Sequence, residues 1–438
     1  MLKGLKNNKL IGNVASLGII QIVNYVFPLI TVPYISRIIG PDGYAIINYA
    51  TAFIAYFTLI IAYGFDLTAT RKISQNTENL KLINNVISEV ITSRIVLFFL
   101  SLIFFIISLA IFKPIQKDIY VAIILFVGCI STVVSPQYIF QGFQELKIFA
   151  ILNFFKGILN TVLVFVLIKE QSDYYWIPTL TTFFSIAISI YLYYYSKKKF
   201  NVKYKLVSIK TAIDIIVSEK TIFFSTVVIS LYTTTNTVIL GFFADTREVG
   251  YYTTSQSFLN IVSTIITVPL SNALYPFVGK AFSESKERGM DVIRKITPIV
   301  SYITFAASLS ILFLSPFLIK LVYGHKFDAS VPALQIISFL PFIVGLSNIL
   351  GIQLMLNLGL DKLFFKTTFI ASIIGFVLNF FMSKYYGYIG TAWNCIIIEV
   401  IVTLLMYILL LKKGINIFER KYFNPKEILI LLQNIRKN

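Results

Sequence analysis

Predominantly apolar stretches of about twenty residues, the length a helix needs to cross the hydrocarbon core of a bilayer, recur along this 438-residue chain. Twelve are read, near residues 10–37, 43–66, 86–112, 117–140, 146–168, 174–196, 218–244, 250–278, 291–322, 330–357, 363–384 and 386–412. With 57% of residues hydrophobic and 13% charged, the chain lies outside the range of soluble globular proteins and belongs in a membrane. Lipid offers a bare backbone no hydrogen bonds, so the spans fold as helices. The expected fold is therefore an all-α integral membrane protein with 12 transmembrane helices.

The cations set the orientation. In alternate connectors, 28 Lys and Arg fall on the side of the N-terminus and 8 on the other, while Arg94 and Lys156 sit inside spans. The positive-inside rule then puts both termini in the cytoplasm. That distribution also accounts for the formal charge of +18 without a nucleic-acid partner. The basic start "MLKGLKNNKL" leads into an apolar run with no small-residue cleavage site, which reads as a retained first helix and not a signal peptide.

The longest charged connector, "SKKKFNVKYKLVSIKTAIDIIVSEK" from Ser196 to Lys220, divides the spans evenly. Residues 1–196 form an expected N-terminal six-helix lobe, 197–217 a basic cytoplasmic linker, 218–412 a C-terminal six-helix lobe and 413–438 a cytoplasmic tail. Two halves with an even number of spans enter the membrane in the same direction, a known transporter repeat symmetry. The starts "GYAIINYATAF" at Gly43 and "GYYTTSQSF" at Gly250 echo one another faintly. In the tail, Ile428, Leu429, Leu431, Leu432 and Ile435 suit one face of an interfacial helix or, equally, a solvated segment.

Enzymatic chemistry finds few carriers. Cys129 and Cys395 stand alone in apolar runs, and His325 is the single histidine, so no disulfide framework, metal centre or histidine base is expected. There is no phosphate-binding loop, dinucleotide fingerprint or nucleophile elbow. The expectation is a protein that is not an enzyme and needs no cofactor. Its outer connectors are too short for an external catalytic domain such as a membrane polymerase or ligase would need.

Ionisable residues within spans are costly and usually face a cavity or a partner. Lys156, in "NFFKGILN", lies about 15 Å of helical rise into its span, and either faces a cavity or forms an ion pair. Arg94, about 12 Å in, is within reach of the interface by snorkelling or else serves the interior. Glu399, in "CIIIEVIVTL", either binds a coupling ion or pairs with a cation on another helix. Arg37 and Arg71 stand at span ends, where headgroup anchoring competes with function, while Asp66 and Glu89 near span ends read as solvated. Deep cations in the first half favour an anionic substrate, such as a phosphate ester, over an organic cation. The segment "NYVFPLITVPYISRIIG" adds two prolines to the first span, expected to bend a helix whose Asn13, Ser16, Gln21, Asn24, Thr31 and Ser36 line a cavity.

The stretches "SLGIIQIVNYVFPLITVPYISRIIGPDGYAIINYA", "YGFDLTATRKIS" and "TNTVILGFFADTREVGYYTTSQ" resemble the bacterial oligosaccharide repeat-unit flippases. These are the Wzx-type polysaccharide biosynthesis proteins of the multidrug/oligosaccharidyl-lipid/polysaccharide exporter superfamily. Ala45 stands where that pattern usually has glycine. The resemblance covers essentially the whole chain. It implies two six-helix bundles in a MATE-like V-shaped fold in the bacterial plasma (inner) membrane, moving polyprenyl (undecaprenyl) diphosphate-linked O-antigen, capsule or similar repeat units outward. It also implies polysaccharide polymerase and chain-length proteins as partners beside the lipid bilayer. Lys156, Arg94, Arg37 and Arg71 become the expected substrate-binding residues, with Glu399 as an ion-coupling candidate. A cation-coupled multidrug exporter of the same superfamily is the alternative, and a lipid II flippase fits less well because that branch usually carries two further spans.

Overall fold

A computed structural model describes residues 2–423, with side chains described for 26–423 apart from 225, 229, 231–233, 264–273, 276, 420 and 421. Helices are the only regular elements among the described residues, with no strands. The interfacial helix considered for residues 428–435 lies outside them, as do the side chains of Asn13, Ser16, Gln21 and Asn24. Eight described segments are long and apolar enough to cross a membrane, among them 49 residues from Val26 to Ser74 and 52 from Asp361 to Lys412. The protein is a multi-pass membrane protein.

Packing divides the chain into two compact units, Met1–Ser230 and Leu231–Asn438. The first begins with α1 (Leu2–Ala62), α2 (Phe65–Ser74), α3 (Leu80–Ile111), the short α4 (Lys113–Gln116) and α5 (Ile119–Val134). It continues through α6 (Gln137–Gly142), α7 (Lys147–Leu167), α8 (Trp176–Phe200), α9 (Ile209–Ser218) and α10 (Lys220–Thr233). The second contains α11 (Thr235–Phe243), α12 (Thr246–Glu284), α13 (Lys286–Val322), α14 (Val331–Ile337) and α15 (Leu340–Asn348). A π-helical turn, Ile349–Met355, precedes α16 (Asp361–Lys412).

The two longest helices are each two helices joined at one glycine. Gly40 (φ 67°, ψ −177°) breaks α1, and Gly387 (φ 55°, ψ −140°) breaks α16, so each carries two of the apolar runs read from the sequence. Gly40 supplies a backbone angle that a side chain would strain, and Pro41 then starts the next helix with the donor it lacks left unneeded. Helical dihedrals persist through Pro28 and Pro33, where a bend was expected, so the helix is not interrupted there. A proline's φ is already helical, so what it removes is a hydrogen bond and not the helical path.

That proline segment packs along α7. Phe27 and Phe154 meet edge to face at 6.0 Å, Tyr34 lies 4.5 Å from the Phe165 ring, and the Tyr34 hydroxyl donates to the Ile168 carbonyl at 2.7 Å. Any side chain at Gly157 would strike the Phe27 ring. Thr31 and Ser36, expected to line a cavity, are buried and donate to their own helix at the Phe27 and Pro33 carbonyls. Such close packing matters because lipid is as apolar as the helix faces, which leaves dispersion and polar contacts to hold helices together.

In the second unit, Val278, Ile293, Leu350, Leu354, Ala371, Ile398 and Met406 form one buried cluster. The start of the segment expected as a cytoplasmic tail packs on α13: Arg294 pairs with Glu419 at 2.8 Å, and Tyr422 donates to Asp291 at 2.9 Å.

Candidate functional site

A cavity of about 330 Å³ opens within the first unit, lined by Thr58, Asp66, Ser131, Thr132, Ser135, Gln137, Asn153, Lys156, Ser185 and Ser189 among others. A second hollow of about 310 Å³ shares Thr58, Ser131, Thr132 and Ser185 with it and continues to Thr51, Thr181 and Thr182. Hydroxyls thus contribute to the lining of both hollows, within otherwise apolar helices. On α8 the spacing explains this, since Thr181, Ser185 and Ser189 are four residues apart and share one face.

Lys156 enters the cavity from α7, and its ammonium donates to Ser185 Oγ on α8 at 2.9 Å. No ion pair among the described residues gives it a carboxylate. Its neighbour Gly157 presses against Phe27 on the adjoining face, so the α1–α7 contact fixes which way Lys156 turns.

Arg94 is placed differently from Lys156. It is completely buried on α3, outside the cavity lining, and acts on two residues of the wall. One guanidinium nitrogen donates to Asp66 Oδ1 at 2.8 Å, and another to the Ser135 carbonyl at 3.0 Å. Its carbon also lies 5.3 Å from the Tyr138 ring centre. Helix α5 ends at Val134 and Ser135 turns extended (ψ 118°), so that carbonyl lacks a helical donor, which Arg94 supplies. Asp66 stands in the first turn of α2, where the helix dipole favours an anion, after the left-handed Tyr63 (φ 51°) and Gly64 (φ 82°). With Arg94 paired to Asp66, Lys156 is the charge of the cavity that has no ion pair among the described residues.

Arg37 is exposed on the first half of α1 and Arg71 on the last turn of α2, and neither lines this cavity. Asp66, read from the sequence as a solvated residue, is on the cavity wall with its side chain 40% exposed. Asn153 and Gln137 also escaped sequence reading. The signal for Asn153 was its position three residues before Lys156, on the same helical face.

The second unit has its own cavity, of about 430 Å³, walled by Thr234, Asn236, Gln256, Asn260, Asn394, Cys395 and Glu399 among others. Its polar groups link together. Asn394 donates to Asn236 Oδ1 at 3.1 Å, Asn236 donates to Cys395 Sγ at 3.0 Å, and the Tyr252 hydroxyl meets the same sulfur at 3.0 Å. Gln256 Oε1 and Asn394 Oδ1 are buried with no hydrogen-bond partner among the described residues. Glu399 forms no ion pair there, so the pairing considered for it with a cation on another helix is not seen among them.

The model of the family described as polysaccharide biosynthesis protein matches residues 10–282, more than half of the chain. The protein belongs to that family. A candidate O-antigen transporter of Escherichia coli (strain K12) is 29% identical over 398 residues, covering 90% of this chain and 95% of its own. Another, from Shigella dysenteriae, is 26% identical over 404 residues, covering 90% and 98%. Among solved structures, the lipid II flippase MurJ in an inward closed conformation superposes with a TM-score of 0.72 at 16% identity, over 97% of this chain and 92% of that one. An inward-facing multidrug resistance MATE transporter of the MOP superfamily gives 0.69 at 14% identity, over 92% and 100%. At such identities these structures establish a shared fold, and the family match carries the link to polysaccharide.

Proposed function

We propose that this protein is a flippase for polyprenyl diphosphate-linked oligosaccharide repeat units, moving them from the cytoplasmic to the periplasmic leaflet of the bacterial inner membrane by alternating exposure of a polar interior. One observation carries the reading: in a polysaccharide biosynthesis protein, a deep lysine without a carboxylate partner faces a cavity lined by hydroxyls and amides. An ammonium offers three donors to phosphate oxygens, and the surrounding hydroxyls and amides suit sugar hydroxyls. Arg94 acts through Asp66 and Ser135 and shapes the wall, while exposed Arg37 and Arg71 meet the anionic head on its way in and out. Both termini lie in the cytoplasm, as the 28-to-8 distribution of cations favours. A potential negative inside then assists outward movement of the anion by about 2.3 kcal/mol per charge per 100 mV. Polymerase and chain-length proteins act on the delivered unit.

The test is the pool of lipid-linked glycan in a native host lacking the protein, complemented with wild type or Lys156→Ala at matched membrane levels. Deletion should trap repeat units on the cytoplasmic side, wild type should clear them, and Lys156→Ala should not. Unchanged pools and unchanged surface glycan on deletion would sink the reading.

A second reading, a cation-coupled multidrug exporter, draws on the unpaired Glu399 beside the bare oxygens of Gln256 and Asn394. It expects deletion to sensitise cells to cationic dyes while glycan pools stay unchanged.

A further inference from the structure

The basic connector is built onto the first unit. Between α8 and α9, after the left-handed Asn201 (φ 51°), residues 203–207 run along α3, and alternate backbone amides dock on side chains four apart. Lys203 N donates to Asn84 Oδ1 at 2.8 Å, Lys205 N to Ser88 Oγ at 3.1 Å and Val207 N to Thr92 Oγ1 at 3.1 Å. The match is geometric, because two extended residues advance about 6.6 Å and four helical residues about 6 Å. The two hydroxyls in turn donate to α3 carbonyls, Ser88 to Asn84 and Thr92 to Ser88. The strap thus holds α9 in place, with Ala212 fully buried near Ser93 and Lys72 paired to Glu219 at 2.9 Å just past the far end.

So anchored, α9 presents a second apolar stripe outward. Ile209 (66%), Ile213 (48%) and Val217 (54%) are exposed one turn apart, and Leu206 (70%) extends the stripe. Beyond it the helix turns polar with exposed Lys210, Asp214 and Ser218, and Lys203, Lys205 and Lys220 are exposed nearby. The level of this stripe follows from α3. No residue of α3 from Val86 to Phe98 is exposed, whereas Phe99, Leu100, Ile103, Phe104, Ile106, Ile107 and Ile111 all are. Counting back the roughly 20 residues of a bilayer core from Ile111 reaches Thr92, where the strap ends and α9 begins to pack. The apolar stripe therefore sits where hydrocarbon gives way to headgroups, ringed by cations that suit anionic lipid.

We infer that α9 is an interfacial membrane-binding helix, its Ile209–Ile213–Val217 stripe lying in the acyl–headgroup boundary of an anionic leaflet and anchoring the first unit at that surface. The test uses full-length protein with Trp176→Phe and Trp393→Phe, carrying Ile213→Trp, Val217→Trp or Asp214→Trp, reconstituted in phosphatidylglycerol–phosphatidylcholine vesicles. Lipids brominated high on the acyl chain should quench the first two about twofold or more over the third, and aqueous iodide should show the reverse order. Equal iodide quenching of positions 213 and 214 would overturn the inference, because the stripe would then be in water. Protection of 213 and 217 from both quenchers would also overturn it, by showing protein over the stripe.

Discussion

The two units each hold a polar cavity among apolar helices, yet the chemistry differs. In the first, a lysine faces a run of hydroxyls, and the one carboxylate on the wall is neutralised by an arginine behind it. In the second, a glutamate stands among amides, with two buried oxygens lacking donors among the described residues. A cavity with a spare cation suits an anion, and one rich in bare oxygens suits a cation or a donor-rich ligand. Under the proposed function, the first cavity is the one to meet the phosphate head and the second the one to respond to an ion.

The sharpest way to break this contrast is to exchange roles. Lys156→Ala should lower glycan transport by about two orders of magnitude if it removes a buried charge-assisted contact, with Lys156→Arg retaining part of it. Glu399→Ala should leave binding of the diphosphate head intact; equal loss of head binding in both variants would erase the distinction. Next in size is the Arg94 node. Arg94→Met strands Asp66, and because that carboxylate is 40% exposed the cost should fall near or below the low end of the roughly 3–5 kcal/mol of a broken buried pair. Thermal unfolding in detergent should show it, and Asp66→Asn added to Arg94→Met should restore much of the loss; no recovery would mean that Ser135 is the partner that matters.

Coupling gives a smaller and conditional effect. Under an imposed proton or sodium gradient, wild-type transport in vesicles should accelerate and Glu399→Gln should not, while transport without a gradient stays similar. A Glu399→Gln variant that still follows the gradient excludes a coupling role for that residue. Smallest is Ser185→Ala, which removes one partner of Lys156 and should weaken head binding by about 1–2 kcal/mol, roughly five- to thirtyfold.

Much of this was legible in the chain itself. The apolar runs marked the helices: the break at Gly40 falls between two runs read as separate spans, and that at Gly387 falls at the very start of the last one. Lys156 and Glu399 stood out because a charge amid apolar neighbours is costly wherever the helix faces. Other features were not readable. Arg94 and Lys156 look alike in sequence, each one cation in an apolar helix, yet one is sealed against Asp66 and the other opens to a cavity. The connector at 197–217 reads as a charged linker because its lysines dominate, while the amides of Lys203, Lys205 and Val207 follow the four-residue spacing of α3.

Sequence alone determined the membrane environment, the helical fold and the residues whose charge demands a reason, because hydrophobicity, helix periodicity and the cost of burying charge act along the chain. The tertiary structure decided which buried charge has a counter-ion and which faces a cavity. Ion pairing needs atoms within about 4 Å, and those atoms come from residues far apart in the chain, as Asp66 and Arg94 are.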